Sequence, residues 1–177
     1  MLRFAWQLRG KLMEKDIVLT KDEQKLIDYS REAVVAYSKM RHEKGGVDTL
    51  YAFLISDSGM IYDGACFEPN IAQATVCGER HAIQNMILKE SYKAKIKSIV
   101  VVDPVPSVQE KGTTPCGTCR HLIWQFGTPD TTVLLMQFIL WKNGSLTFPK
   151  IEKYTIKELY PHPYEPKEGL WDNWVPQ

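Results

Sequence analysis

Three of the four cysteines in this chain of 177 residues have a spacing that suits a metal ion. Cys77 stands alone, whereas Cys116 and Cys119 form a C-x-x-C pair, which can direct two thiolates from one helical turn to the same zinc ion. Three protein ligands leave zinc a fourth position, which holds water in a catalytic site. Zinc lowers the pKa of such a water from about 15.7 to about 7. The spacing therefore predicts an open zinc site that activates water.

Glu79 lies two residues after the first of these cysteines, close enough to accept a proton from the water without being a ligand. The helix dipole also favours an ordinary acid in a first helical turn, but the position between metal ligands indicates catalysis. The other alternative is a closed structural site that recruits Cys66. Such a site would leave no position for water and no role for Glu79, so we expect Cys66 to be a small buried apolar residue.

The motif C-x-E at residues 77–79, followed by P-C-x-x-C at residues 115–119, resembles the zinc-dependent cytidine deaminase superfamily. Ligation by cysteine alone resembles its small branch, cytidine deaminase and blasticidin S deaminase, rather than the enzymes that edit polynucleotides. The similarity extends from about Leu19 to Tyr164. It implies a three-layer α-β-α fold with helices on both faces of a five-stranded mixed sheet, Zn²⁺ as cofactor, and hydrolytic deamination at C4 of a free cytidine-like nucleoside.

The resemblance also implies roles for side chains around the metal. Glu79 would remove a proton from water, pass it to the ring nitrogen N3, and in a later step protonate the departing amine at C4. Arg80 would bond the ligand sulfurs and offset the negative charge that three thiolates leave on a dication, which general reasoning about the surroundings of a metal also supports. The amide of Gly78 would face the pyrimidine O2, where the absence of a side chain lets substrate approach closely. Glu68 aligns with the family's glutamate that holds the ribose hydroxyls.

Two segments depart from the family's pattern. The Asn-x-Glu of small cytidine deaminases is Cys66-Phe67-Glu68 here, and the segment Phe-x-Val-Gly-Ala-Ala is residues 48–53, in which Tyr51 takes the place of a glycine. Both departures concern the sugar pocket. They predict that the reaction is retained and that the substrate specificity is changed, so a cytosine antibiotic of the blasticidin type or another modified nucleoside is an alternative substrate.

Two further alternatives concern the class of function. A deaminase that edits nucleic acid would need a basic groove, whereas the formal net charge is only +1 and the lysines between residues 89 and 97 form a local patch typical of a solvated face. An inactive, zinc-stabilised interaction module would not need Glu79. The sequence therefore favours a small-molecule substrate, and the resemblance implies a homotetramer whose pockets are completed by neighbouring subunits.

Composition gives the remaining expectations. No apolar run approaches the roughly 18 residues of a membrane span, and cysteines committed to a metal suggest a reducing compartment, so we expect no membrane partner and a cytoplasmic location. We divide the chain into an N-terminal extension (1–18), a cytidine deaminase-like domain (19–164) and a C-terminal tail (165–177). The extension lacks the features of a targeting peptide, and two tryptophans favour docking of the tail onto its own domain or a neighbouring subunit.

Local patterns predict the elements that position the site. Capping boxes at residues 20–23 and 155–158 start helices, and both metal motifs begin helices whose positive ends stabilise thiolate. The loop from Pro104 to Thr114 is long enough to cover a substrate. The predicted strands are Leu50–Ser56, Met60–Phe67, Lys97–Asp103, Thr131–Trp141 and Ser145–Lys150. The predicted helices are Lys21–Met40, Cys77–Glu90, Cys116–Phe126 and a short one after Thr155.

Overall fold

Five strands form one mixed sheet in the computed structural model, which describes residues 17–164. The spatial order is β2-β1-β3-β4-β5, with β3 and β4 parallel and the other neighbours antiparallel. The strands are β1 (Tyr51–Ser56), β2 (Ile61–Ala65), β3 (Ile96–Pro104), β4 (Thr132–Leu140) and β5 (Leu146–Thr155). The helices are α1 (Lys21–Glu43), α2 (Gly78–Lys89), α3 (Gly117–Phe126) and α4 (Ile156–Leu159), with a 3-10 turn at Ala72–Ala74.

Alternate side chains of the central strands pack into two separate hydrophobic cores, one on each face of the sheet. Val100 and Val102 of β3 pack toward α1, where Leu26 and Val34 are fully buried. The neighbouring residues of β3 pack on the opposite face with residues of α2, α3 and α4, including Ile83, Ile123 and Ile156. Because β3 is covered on both faces, it has the continuous apolar run that the sequence shows there. The predicted three-layer fold is confirmed.

Helix and strand boundaries agree with the predictions to within two residues except at two ends. The capping box of α1 is present, since the Thr20 amide donates to Glu23 Oε2 at 2.7 Å and the Glu23 amide donates to Thr20 Oγ1 at 3.2 Å. α1 continues past Met40 to Glu43, and Gly45 follows with a positive φ of 74°. β5 continues past Lys150 to Thr155 because it pairs with β4 along its length. Its Pro149 is tolerated because β5 is an edge strand.

Most of the two predicted terminal segments lies outside the described residues. Of the extension, only Ile17 and Val18 are described, and the carbonyl oxygen of Val18 accepts a hydrogen bond from Lys153 Nζ at 3.0 Å. The predicted tail, 165–177, begins where the description ends. Within 17–164, no helix combines the length and the apolar character that crossing a bilayer requires. The domain boundaries stay a prediction.

Candidate active site

The three predicted metal ligands meet at one end of the sheet. Cys77 Sγ lies 3.8 Å from Cys116 Sγ, and Cys116 Sγ lies 3.5 Å from Cys119 Sγ. All three sulfurs are within 4.8 Å of one another. Zinc–sulfur bonds of about 2.3 Å in a tetrahedron place thiolates about 3.8 Å apart, so the donor set fits zinc. Cys66 does not belong to this group of described side chains, so the closed four-cysteine alternative is wrong.

Two helices begin at this cluster. Cys77 and Cys116 are the residues that precede α2 and α3, each with an extended backbone conformation. Helix N-termini stabilise thiolates through unpaired amides and the positive end of the dipole. Cys119 comes from the first turn of α3 and is completely buried. The N-terminal ends of α2 and α3 therefore place the three sulfurs, so the geometry of the cluster depends on both helices being fixed on the sheet.

The thiols perturb one another because they are close together. Burial raises the pKa of the Cys77 thiol to about 11, with further contributions from Glu79 and Cys116. Burial and the Glu79 carboxylate raise the pKa of Cys119. For Cys116, burial acts in the same direction, but the Cys119 amide and the neighbouring thiols outweigh it and lower the pKa. A bound dication deprotonates such thiols, so the crowding of potential negative charge suits a metal centre.

Glu79 is buried beside this cluster, with 3% of its surface exposed. Burial raises its pKa, while its own amide and the Cys119 thiol act in the opposite direction. Its Oε2 atom is buried and has no hydrogen-bond partner among residues 17–164. An unpaired buried carboxylate oxygen costs free energy unless a proton or a bound molecule satisfies it. Because an unpaired carboxylate oxygen buried next to three thiols does not stabilise the fold, it indicates a functional site.

Two glycines allow the start of α2 to lie directly on the sheet. A Cβ at Gly64 of β2 would lie 2.3 Å from the carbonyl oxygen of Gly78 and 2.6 Å from the amide nitrogen of Ala82. A Cβ at Gly78 would lie 3.1 Å from both Ala52 N and Gly64 O. The missing side chain of Gly78 therefore allows close helix-to-strand packing, and its role in the approach of substrate stays a prediction.

Cys66 lies closer to the chemistry than predicted. An isolated antiparallel bridge joins Phe67 to Val76, with mutual backbone hydrogen bonds of 2.9 and 3.0 Å, and this brings the adjoining residues Cys66 and Cys77 into the same region. Cys66 is only partly buried, and its thiol pKa is raised by burial, then by Glu68 and Glu79. The expectation of an apolar core residue is therefore wrong. Glu68 itself is exposed.

Tyr51, which takes the place of the family's glycine, does not enter the metal side of the sheet. Its ring packs against Tyr37 of α1 at a centroid distance of 5.9 Å and against Phe138 of β4 at 6.3 Å. It belongs to the core under α1, on the face opposite α2 and α3. The substitution therefore changes the packing of α1 and leaves the face with the cysteines free of the tyrosine ring.

The two arginines that follow the ligand motifs differ. Arg80 is exposed, and its guanidinium makes no hydrogen bond or ion pair with any residue between 17 and 164. Arg120 is partly buried and donates to Pro115 O at 2.7 Å, Leu159 O at 3.1 Å and Thr114 Oγ1 at 2.7 Å. The sequence predicted a role for Arg80 and no contacts for Arg120, because no local pattern reveals which distant oxygens a side chain reaches.

The loop between β3 and α3 is attached to the neighbouring strands. The Gln109 amide donates to Gln137 Oε1 at 2.9 Å, and Gln137 Nε2 donates to Gln109 O at 3.0 Å. The Gly112 amide donates to Glu152 Oε2 at 2.6 Å. These contacts hold the loop on β4 and β5, on the side of the sheet that carries α3. The predicted role of the loop as a cover for substrate stays a prediction.

Comparison with known proteins agrees with this geometry. Residues 23–135 match the family described as "Cytidine and deoxycytidylate deaminase zinc-binding region". The chain is 34% identical over 76 residues to "Probable cytidine deaminase" of Dictyostelium discoideum, an alignment that covers 43% of this chain and 48% of that protein. The chain thus matches about half the length of this relative. The crystal structure of cytidine deaminase from Burkholderia pseudomallei superposes with a TM-score of 0.54 at 20% identity, covering 75% of this chain and 98% of that one.

The family match spans more than half of the chain, and the superposition supports the fold. The protein belongs to the cytidine and deoxycytidylate deaminase family, as the two cysteine motifs predict. The zinc-binding character of the family and the cluster of three cysteines together confirm zinc as the cofactor.

Proposed function

We propose that this protein is a zinc-dependent hydrolase that removes the C4 amine of a free cytidine-like nucleoside, giving the uridine-like product and ammonia. The observation that carries the proposal is the buried Glu79 carboxylate with an unpaired Oε2 beside three clustered thiols. Metal-assisted hydrolysis requires a metal site, a nearby acid-base group and a polar atom of that group that the protein leaves unpaired. These features coincide at the starts of α2 and α3.

Each residue has a distinct part in the proposed reaction. Cys77, Cys116 and Cys119 hold zinc, which supplies the positive charge that makes a water nucleophilic at neutral pH. Glu79 accepts one proton of the attacking water and delivers it to ring N3; it then takes the remaining proton from the hydroxyl on C4 and passes it to the amine as the C4–N bond breaks. Burial raises the pKa of Glu79, which helps it hold the proton between these steps. The oxygen of water stays on C4, and nitrogen leaves as ammonia.

The remaining predicted contacts concern binding rather than bond cleavage. The Gly78 amide is proposed to donate to the pyrimidine O2, and Arg80 to offset part of the negative charge of the thiolates. Glu68 is proposed to accept a hydrogen bond from a sugar hydroxyl. Cys66 lies near Glu68 and Glu79, so its thiol would line the same pocket. A thiol is a weak hydrogen-bond partner, which favours altered sugar specificity.

The distribution of lysines supports a small substrate rather than a polynucleotide. Lys97 lies near the start of β3, about 20 Å along the strand from the end that carries the cysteines, at about 3.3 Å per residue. Its Nζ donates to Asp22 Oδ2 at 2.7 Å, and Lys95 Nζ donates to Gln125 O at 3.3 Å. The basic patch is therefore remote from the site and partly paired.

We also propose that the active form is a homotetramer, as the family resemblance implies. Phe67 and Ile71 are 55% and 66% exposed and lie in the segment that joins β2 to α2, beside the site. Exposed apolar side chains at that position suit contact with another subunit. Light scattering at micromolar concentration is the test, and a monomer with full activity would contradict the proposal.

Ammonia release from a panel of substrates tests the proposed reaction. The panel contains cytidine, deoxycytidine, blasticidin S, free cytosine, CMP and a short single-stranded oligonucleotide. We expect turnover of at least one free nucleoside and loss of that turnover in Glu79→Gln. Turnover of the oligonucleotide without turnover of any nucleoside would overturn the proposed substrate class. A Glu68→Ala variant should raise KM for the preferred nucleoside more than for free cytosine, which has no sugar.

A further inference from the structure

The Arg120 guanidinium donates hydrogen bonds to three oxygen atoms near Cys116 and Cys119. Nε donates to the carbonyl oxygen of Pro115 at 2.7 Å, and Nη2 donates to Thr114 Oγ1 at 2.7 Å. Nη1 donates to the carbonyl oxygen of Leu159 at 3.1 Å. Three separate nitrogens are thus used, and each acceptor is an uncharged oxygen. The arrangement depends on the planar, forked shape of the guanidinium.

Two of these acceptors belong to the residues that directly precede Cys116. Packing contributes little at positions 116 and 117, because Cys116 is exposed and a Cβ added at Gly117 would have no atom within 4 Å. Pro115 is buried but has no amide hydrogen with which to bond its surroundings. Hydrogen bonds from Arg120 to positions 114 and 115 therefore fix the backbone that places the Cys116 sulfur.

The third acceptor connects this segment to a rigid part of the domain. Leu159 is the last residue of α4, whose start is fixed by a capping box between Thr155 and Glu158 and whose Ile156 is fully buried. Arg120 also follows Cys119, a ligand on the same helix. Through Arg120, residues 114–115 are therefore connected to α3 and, by the hydrogen bond to α4, to the hydrophobic core on the sheet.

We propose that Arg120 is a positioning residue of the metal centre, which holds residues 114–116 so that the Cys116 thiolate stays within zinc-bonding distance of Cys77 and Cys119. This inference rests on the proposed ligation of zinc by these cysteines. Arg120 acts through geometry and not mainly through charge, because no acceptor is a carboxylate or a sulfur. Lysine retains the charge but lacks the planar fork, so it does not replace arginine at this position.

Metal release separates geometry from charge. Arg120→Lys and Arg120→Gln should both transfer zinc to a chelator about 10–100-fold faster than the unmodified protein, the range typical when a group that orients metal ligands is lost. With Co²⁺ in place of zinc, both variants should show altered thiolate-to-metal absorption. Lys157→Gln on the exposed surface of α4 is the matched control and should behave as the unmodified protein.

The outcomes distinguish this proposal from the proposed function. An unmodified protein that holds no zinc would overturn both. An unmodified protein that holds zinc while Arg120→Lys retains normal zinc release and a normal Co²⁺ spectrum would overturn only the geometric role of Arg120.

Thr114→Val keeps the test decisive if substitutions of Arg120 prevent folding. Thr114 is exposed, so valine removes one acceptor of the fork without disturbing a core. Thermal melting should show an intact fold, while zinc release should be several-fold faster than in the unmodified protein. Unchanged zinc release in a folded Thr114→Val protein would contradict the role of the fork.

Discussion

The two helix starts that supply the metal cluster are fixed by different means. At α2, Gly64 and Gly78 bring backbone into contact with backbone, and Glu79 is buried in the first turn. At α3, Gly117 is surrounded by open space, and the approach to Cys116 is held by side-chain hydrogen bonds from Arg120. The half of the site that carries Glu79 is therefore rigid through packing, whereas the other half depends on hydrogen bonds.

This difference assigns separate tasks to the two halves. A carboxylate that transfers protons must stay at a fixed distance from the reacting atoms, and close packing keeps that distance constant. A thiolate that only has to reach a metal tolerates an exposed position once the metal is bound. Variants at the α2 start should therefore affect the fold, and variants at the α3 start should affect metal retention first.

Gly64→Ala should have the largest effect. The added Cβ would lie 2.3 Å from the carbonyl oxygen of Gly78, a backbone atom that cannot move without displacing α2. We expect a loss of more than about 3 kcal/mol in the free energy of unfolding, measured by urea titration, because overpacking against backbone cannot be relieved by a rotamer change. Gly117→Ala is the matched control and should unfold as the unmodified protein does. Equal stabilities of the two variants would contradict the packing difference.

Cys116→Ser should abolish zinc retention while the protein stays folded. Loss of a ligand costs more affinity than the roughly 10–100-fold loss seen when an orienting partner is removed. Cys66→Ser is the matched control, because Cys66 faces the site but does not belong to the metal cluster. It should retain zinc and change KM. Metal analysis after dialysis and steady-state kinetics test the pair; zinc loss in both variants would revive a four-cysteine site.

A third helix start, that of α1, provides a test of stability remote from the metal. Glu23 is buried, with Lys153 Nζ 2.7 Å from its Oε2. Burial acts to raise its pKa, but the bonds from Lys153 and from the Thr20 amide outweigh it, and the pKa is lowered. Its contribution to stability is therefore complete above the unfolded-state pKa of about 4.3 and is lost as the pH falls through the lower, folded-state value.

Glu23→Gln should cost about 1–3 kcal/mol at pH 7, because a buried partner of Lys153 loses its charge. The difference from the unmodified protein should shrink as the pH is lowered through the acid range. Urea unfolding at several pH values measures both effects. Glu43→Gln is the matched control: Glu43 is 65% exposed and 4.0 Å from Lys39, so we expect no measurable change. A pH-independent difference for Glu23→Gln would contradict the ionic origin of its contribution.

Arg80→Gln should have the smallest effect of these variants. Its side chain is exposed, so solvent screens its charge, and kcat should fall less than about tenfold. Arg120→Gln should have the larger effect on zinc release. A faster release of zinc from Arg80→Gln than from Arg120→Gln would show that the first arginine, as the sequence suggested, is the one that supports the sulfurs.

The sequence predicted what depends on local patterns. Capping boxes, turn residues and the apolar run at Ile99–Val102 located nearly every element, and the cysteine spacing predicted the metal cluster. It could not predict which side of the sheet Tyr51 would occupy, because the face of a strand residue is set by register with its neighbours. It also did not predict that Cys66 lies near Glu79, because this proximity depends on the folded chain around the isolated bridge between Phe67 and Val76.

Gly64 was within reach of sequence reasoning, because an isolated glycine inside a strand often marks a close approach of another backbone. Arg120 was not, since its role depends on Leu159, which is distant in sequence and close only in the folded domain. The sequence assigned a different task to Arg80, namely bonding the ligand sulfurs and offsetting their negative charge. Long-range hydrogen bonds such as the one from Arg120 to Leu159 are visible only in the folded domain.

The most direct test of the central claim measures zinc content and ammonia release together in the unmodified protein and in Glu79→Gln. Both proteins should bind zinc at the same stoichiometry, since Glu79 is not a member of the cysteine cluster. The unmodified protein should deaminate a free cytidine-like nucleoside at C4, and the variant should be slower by about 10²–10⁴-fold, the usual contribution of a positioned acid-base group. Zinc-loaded Glu79→Gln with undiminished turnover, or an unmodified protein that binds no zinc, would contradict the account.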